Sequence, residues 1–301
     1  MDEKELVGVV IDIYWGSGNY CGVIGLFWPS ATLGICKRSK IMCFDFFKKK
    51  PINWEHSNKV AILFGIDNYP ETENDLDFCL SDLERSKSNL LNKGFQIREF
   101  RDSNFTRKAW REQLTYAFTN ARSGDRIWID DSSHGSYRKD INNDEEDGYD
   151  ETICAYDGDI LDDETNELCK LIPEGVTVVF FLDCCFSGTA TRNPGNQEGR
   201  KVRFKPPKGK FRAYKRIKRA VIPDYNRIVI SACLENESAE EGIINNVGTG
   251  VAHFYLWYVY TDGITWDEWF KKLRILLPNK NFSQTPTLEI DENRLNDIAI
   301  P

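Results

Sequence analysis

The chain reads as an α/β protein: a mainly parallel β-sheet flanked by helices on both faces, with a short β-rich N-terminal extension in front of it. Three observations predict this. Apolar runs of strand length recur, and they are continuous rather than alternating, as in strands buried on both faces: KVAILFGI at 59–66, VTVVFFLD at 176–183 and NRIVISA at 226–232. Segments of helical spacing lie between runs of this kind, the alternation that builds parallel sheets. Hydrophobic residues make up 41% of the 301 and aromatics 13%, enough for a substantial core.

Taken in order, residues 1–50 hold two β-like runs, VGVVIDIYW and YCGVIGLFW, separated by glycine turns and ending in KKKP. Pro51 and the polar NWEHSN form a linker. The expected organisation is therefore an extension of unknown role over 1–50 and one main domain over 51–301. That domain opens with the strand KVAILFGI. A helix is expected from about Asp77 to Asn92, with Leu80, Leu83, Ser86, Leu90 and Leu91 near helical spacing. FQIREFRD then reads as a strand, Thr106 to Arg122 as a helix opened by a threonine cap, and DRIWID as a strand. An acidic loop precedes the last two apolar runs.

The net charge of −8 argues against a general polyanion binder, but it averages two unlike regions. Residues 200–219 carry eleven Lys or Arg and no acid, and Asp144 to Glu164 carries eleven acids and no base. The start, MDEKELVG, is acidic and no signal-like apolar core follows it, so a soluble cytoplasmic protein with no membrane partner is expected. Nine cysteines with no C-x-x-C pair speak against a disulfide framework or a zinc site.

In parallel sheets, ligands bind beyond the carboxyl ends of the strands. There DRIWID is followed by DSSHGS, and VTVVFFLD by CCFSGT. Taken singly, a cysteine at a strand end is an inert small hydrophobe and a loop histidine a surface residue. Together, His134 and the pair Cys184–Cys185 supply an imidazole and a thiol, the parts of a nucleophilic site. Gly135 lets a substrate carbonyl approach the backbone N–H, which with the cysteine N–H forms an oxyanion hole. The other histidines, His56 in the linker and His253 in an aromatic run, have no partner evident in the sequence.

These segments resemble the caspase-like cysteine peptidases, most closely the metacaspase and bacterial caspase-like branch of peptidase family C14. The resemblance runs from about Lys59 to Glu289 through KVAILFGIDNY, LDFCLSDL, DSSHGS, DEEDGYDE, ILDDE, LDCCFSGT, ISACLENESAEE and QTPTLE. It implies a caspase-like fold and a cysteine endopeptidase with a Cys-His dyad. The family's Asp-x-Cys spacing makes Cys185 the nucleophile and Cys184 a structural neighbour, with His134 as the acid–base partner. The animal caspase signature Q-A-C-x-G is absent, which disfavours cleavage after Asp. The resemblance puts Asp82, Ser132 and Asp183 in the pocket for the residue before the scissile bond, where paired carboxylates suit Arg or Lys. Asp130 and Asp131, where apolar residues are common in the family, are expected to raise the pKa of His134 by their charge. A Ca²⁺ site is implied at Asp150, Asp162 and Asp163, although Arg192 stands where the family has a fourth acid. The expected partners are protein or peptide substrates with Arg or Lys before the cut, rather than nucleic acid, for a monomeric enzyme.

The basic segment 200–219 leaves three readings open: a self-processing site, a tethered inhibitor of the acidic pocket, or a solvated linker. Rivals of another class are a catalytically idle caspase-like scaffold and a nucleic-acid binder built on the basic segment.

Overall fold

The structure, a computed structural model, describes residues 57–139, 149–185, 199–207, 227–234, 237–277, 282 and 284–301, together with the backbone of 8–12 and 22–26. The chain divides into two compact units, Met1–Pro51 and Ile52–Pro301. In the first, β1 (Gly8–Asp12) and β2 (Gly22–Leu26) form an antiparallel pair.

The second unit is built on β3 (Lys59–Gly65), β4 (Gln96–Arg101), β5 (Arg126–Ser132), β9 (Thr177–Asp183), β11 (Arg227–Ser231) and β14 (Thr287–Glu289). They form a six-stranded sheet in the order β14-β11-β9-β5-β3-β4, parallel throughout except for β14. Because side chains alternate along a strand, each continuous apolar run feeds two cores. Val60, Ile62 and Phe64 of β3 enter one; Ala61 and Leu63 enter the other. The first core is covered by α2 (Arg107–Asn120), through Trp110, Leu114 and Phe118, and by α3 (Asp162–Cys169). The second is covered by α1 (Cys79–Leu91), α4 (Val251–Val259) and α5 (Trp266–Leu276). Each large apolar side chain fully withdrawn from water here contributes about 1.5–3 kcal/mol.

Helix ends follow the sequence chemistry. Thr106 accepts a hydrogen bond from the Ala109 N–H, and Thr265 and Glu268 make a capping box at α5. The start of α1 is capped from outside the helix: Asp67 Oδ1 accepts from the Cys79 N–H at 2.7 Å. Burial pushes the Asp67 carboxyl up to about 6.

Two small sheets lie apart from the main one. β6 (Gly135–Lys139), β7 (Tyr149–Ala155) and β8 (Gly158–Leu161) form one; β10 (Lys201–Val202), β12 (Glu240–Ile244) and β13 (Val247–Gly250) form the other. Among the described residues no helix is long and apolar enough to cross a membrane. His56, Arg192 and residues 208–219 of the basic segment lie outside the described residues.

Candidate active site

Strands β5 and β9 are neighbours, and Ser132 pairs with Asp183 across them. Two residues beyond this pair stand His134, after one strand, and Cys185, after the other. The pleat separates the adjacent cysteines: Cys184 enters the core under α2 and α3, and Cys185 enters the core under α1 and α4. Burial, with Asp131 beside it, pushes the Cys184 thiol well up. The Cys185 thiol is fully buried and donates to the Glu237 carbonyl at 3.1 Å. Cys233 donates to the same carbonyl at 3.6 Å, and its own thiol is raised by its hydrogen bond with Cys185 and by burial.

His134 is buried, with 5% of its surface exposed. Its Nε2 donates to the Asn74 carbonyl at 2.8 Å, which fixes the tautomer and leaves a lone pair on Nδ1. That Nδ1 has no hydrogen-bond partner among the described residues. Burial lowers the His134 pKa to about 4, with the Arg203 cation adding to the effect, so the ring is a neutral base. The expected rise from Asp130 and Asp131 does not occur. Asp131 is bonded to Ser133, and burial raises its own carboxyl to about 7; Asp130 is engaged by His253.

Gly135 packs directly on the backbone of Cys185: a Cβ added there would collide with the Cys185 carbonyl. Only glycine permits this approach. As a result, the N–H groups of Gly135 and Cys185 converge on one oxygen, the Arg203 carbonyl, at 3.0 and 3.1 Å.

The Arg203 side chain runs into a fully buried acidic pocket. Its Nη1 lies 2.8 Å from Asp183 Oδ2 and 2.8 Å from Ser132 Oγ; its Nη2 lies 2.5 Å from Asp82 Oδ2 and 3.2 Å from Glu241 Oε2. Asp82 also accepts from Thr249 Oγ1 and the Gly250 N–H. Burial opposes ionisation of Asp82, but the charges of Arg203 and His253 and these hydrogen bonds hold its carboxyl below the usual range. The Glu241 carboxyl is raised, chiefly by burial. The flanking backbone is held as an extended strand. Lys201 and Val202 pair antiparallel with Glu241 and Glu240, the Arg203 N–H donates to the Ala239 carbonyl, and the Lys205 N–H to that of Gly135.

The Metacaspase, peptidase C14 domain family matches residues 59–194, a span that contains Asp82, Ser132, His134, Gly135, Asp183 and Cys185. That stretch, just under half of the chain, is similar to a metacaspase C14 domain. The family is one of cysteine-type peptidases. Over 282 residues the chain is 26% identical to Metacaspase-1 of Schizosaccharomyces pombe, covering 76% of this chain and 66% of that one. Over 154 residues it is 31% identical to Metacaspase-1 of Arabidopsis thaliana, covering 46% of this chain and 42% of that one. The chain thus spans less than two thirds of the length of these relatives. The fold is shared with a crystal structure of a protein from Geobacter sulfurreducens, with a TM-score of 0.62, 22% identity, and coverage of 79% of this chain and 96% of that one.

The structure gathers Asp82, Ser132 and Asp183 around the Arg203 guanidinium and the Gly135 and Cys185 N–H groups around its carbonyl, with His134 adjacent to Gly135 in the chain. The acids named for calcium lie elsewhere. Asp150 is on β7, and Asp162 and Asp163 open α3 directly after β8. Among the described residues, the only group of three acidic, His or Cys side chains with ligand atoms within 4.8 Å of one another is Asp82, Asp183 and His253. Asp150, Asp162 and Asp163 are not members of that group.

Glu241, Thr249, His253 and Arg203 belong to the pocket region and are missed by sequence reasoning. Only His253 carried a local signal. A polar ring in the apolar stretch VAHFYLWYV has to find partners when buried, and it finds three acids rather than none.

Proposed function

We propose that the metacaspase-like domain is a Cys-His endopeptidase that cuts after a basic residue, and that its first substrate is its own Arg203–Phe204 bond. One observation carries this reading. The Arg203 carbonyl accepts from the two N–H groups of Gly135 and Cys185 while its guanidinium fills the acidic pocket. A peptide held by both a charge-matched pocket and an oxyanion hole is positioned as a substrate.

In this mechanism His134 Nδ1 takes the proton of the Cys185 thiol, and the thiolate attacks the Arg203 carbonyl carbon. The oxyanion is held by the Gly135 and Cys185 N–H groups. Protonated His134 then gives its proton to the Phe204 nitrogen, the Arg203–Phe204 bond breaks, and a thioester remains on Cys185. Water, deprotonated by His134, hydrolyses the thioester, releasing the Arg203 carboxylate and restoring the thiol. The resting thiol, bonded to the Glu237 carbonyl, has to turn before attack. The uncut chain is accordingly a zymogen with its substrate site occupied.

The described part of the basic segment argues against nucleic acid as its partner. Arg200 pairs with Glu240, Lys201 with Asp77, Arg203 with three acids and Lys205 with Glu71. These four cations are neutralised within the protein. A separate part of the proposal is Ca²⁺ activation through Asp150, Asp162 and Asp163, read from cleavage with Ca²⁺ against cleavage in chelator.

Mass spectrometry of the intact chain beside its Cys185→Ala variant tests the reading. New termini at Arg203 and Phe204, absent from the variant and lost in Arg203→Gln, are expected. Absence of any cut, together with no labelling of Cys185 by an arginine chloromethyl ketone, favours the idle scaffold.

A further inference from the structure

His253 sits in α4 among side chains that are otherwise apolar, and it is fully buried. Its Nδ1 is 2.6 Å from Asp183 Oδ2 and 3.7 Å from Asp82 Oδ2, and its Nε2 is 2.8 Å from Asp130 Oδ1. All three carboxylates are fully buried as well. A neutral imidazole has one N–H and one lone pair, so either tautomer would turn a lone pair toward a carboxylate oxygen. Only the imidazolium donates at both nitrogens. The Phe181 ring, with its centroid 4.4 Å away, closes the apolar side.

We propose that His253 is a positioning residue of the cation pocket: a resident imidazolium, with Asp130 as its own counter-ion, that holds Asp183 in place and offsets the mutual repulsion of the pocket's carboxylates for an incoming guanidinium. The inference rests on the reading of that pocket as the site for the basic side chain before the cut.

Charge balance supports it. When no Arg side chain fills the pocket, Asp82, Asp183 and Glu241 face one buried cavity. Like charges brought together in low dielectric repel one another, and a resident cation offsets that repulsion. His253 reaches the cluster from behind Asp183, so a substrate does not displace it. It shares Asp183 Oδ2 with Arg203 Nη1, the two donors being 2.6 and 2.8 Å from the same oxygen. Burial alone would lower the His253 pKa, but the charges of Asp82 and Asp130 and its bonds to Asp130 and Asp183 raise it to about 10. The groups facing the ring are thus Asp130 from β5, Asp183 from β9 and Asp82 from α1, with Arg203 and Glu241 beyond them. The trio Asp82, Asp183 and His253 also has the donor set of a small metal site. An imidazolium has no lone pair for a metal, and the Arg203 guanidinium already lies between the two acids.

Two measurements test the proposal. In the full-length Cys185→Ala chain labelled with ¹⁵N-histidine, both His253 ring nitrogens are expected to carry protons at pH 8. A single protonated nitrogen at that pH overturns the proposal, whatever the protein cleaves. In the active chain, His253→Gln is expected to raise KM for an arginine peptide about tenfold. Its kcat should stay within roughly threefold, since the change acts on binding rather than chemistry. The KM of this variant should climb further as pH falls from 8 to 6, a trend absent from the parent. Adding Asp130→Asn removes the counter-ion with its cation and should bring KM back toward the parent value. A fall in kcat with KM unchanged and no pH trend, or a double variant no better than the single one, overturns the proposal. If the parent cleaves no peptide at all, the peptidase reading fails and the nitrogen spectrum still decides the charge of His253.

Discussion

At the nucleophile end of the sheet His134 is buried with a backbone carbonyl for company; at the floor of the acidic pocket His253 is buried among three carboxylates. Burial alone makes an imidazole neutral, and at His134 it does, lowering the pKa to about 4. At His253 burial pulls the same way and loses, because Asp82, Asp130 and Asp183 hold the ring protonated to about pH 10. The region at the carboxyl ends of β5 and β9 thus holds a neutral base where a proton has to be accepted and a fixed cation where one must not be lost. Depth in the fold does not set the charge of a histidine; the groups that share that depth do.

The two ends can be separated by experiment. The largest effect belongs to the nucleophile. Cys185→Ala is expected to reduce peptide cleavage by at least about a thousandfold, and Cys184→Ala to leave most of it, because Cys184 faces the opposite core. Equal losses in two folded variants would contradict this assignment.

At the pocket, Asp183→Asn is expected to lower kcat/KM for arginine peptides by about a hundredfold or more, the scale of removing one partner of a buried ion pair. Cleavage after Asp by the parent chain would remove the basis for this pocket.

Acid and alkali should act on different ends, a smaller effect read from urea midpoints across pH. His253, with a folded pKa near 10 against 6.5 unfolded, contributes stability that is complete below pH 6.5 and is lost as pH rises toward 10. His134, with a folded pKa near 4, binds fewer protons folded than unfolded, so stability falls as pH drops from 6.5 to 4. In His253→Gln the alkaline loss should shrink and the acid loss should remain; the reverse pattern would exchange the two assignments.

The smallest expected effect is at the acids away from both ends. Asp162→Ala with Asp163→Ala should abolish any dependence of cleavage on Ca²⁺. A parent enzyme equally active in chelator leaves these residues as a solvated helix start.

Much of this was legible in the sequence because it is local. The strands show as continuous apolar runs, Thr106 announces α2, and residues just past two strand ends mark His134 and Cys185. The rest depends on contacts far apart in the chain. Nothing near Arg203 distinguishes it from the ten other cations of its segment; the pairing of β10 with β12 selects it. Asp130 and Asp131 looked like a joint influence on His134, but the pleat turns them apart, Asp130 to His253 and Asp131 to Ser133. The acids around His253 come from positions 82, 130 and 183, which no window of sequence brings together.

Cutting a chain and releasing it are separate events. Once the bond after Arg203 is hydrolysed, the new carboxyl terminus still has its guanidinium on Asp82 and Asp183, its N–H on the Ala239 carbonyl, and two residues paired with β12. The severed end is therefore its own competitive product, with a dwell time set by dissociation rather than by bond breaking. If the chain activates itself by this cut, activation runs on a delay. A lag between the appearance of the Arg203 fragment and the onset of peptide turnover, shortened by Lys201→Ala or Val202→Gly, would measure that delay.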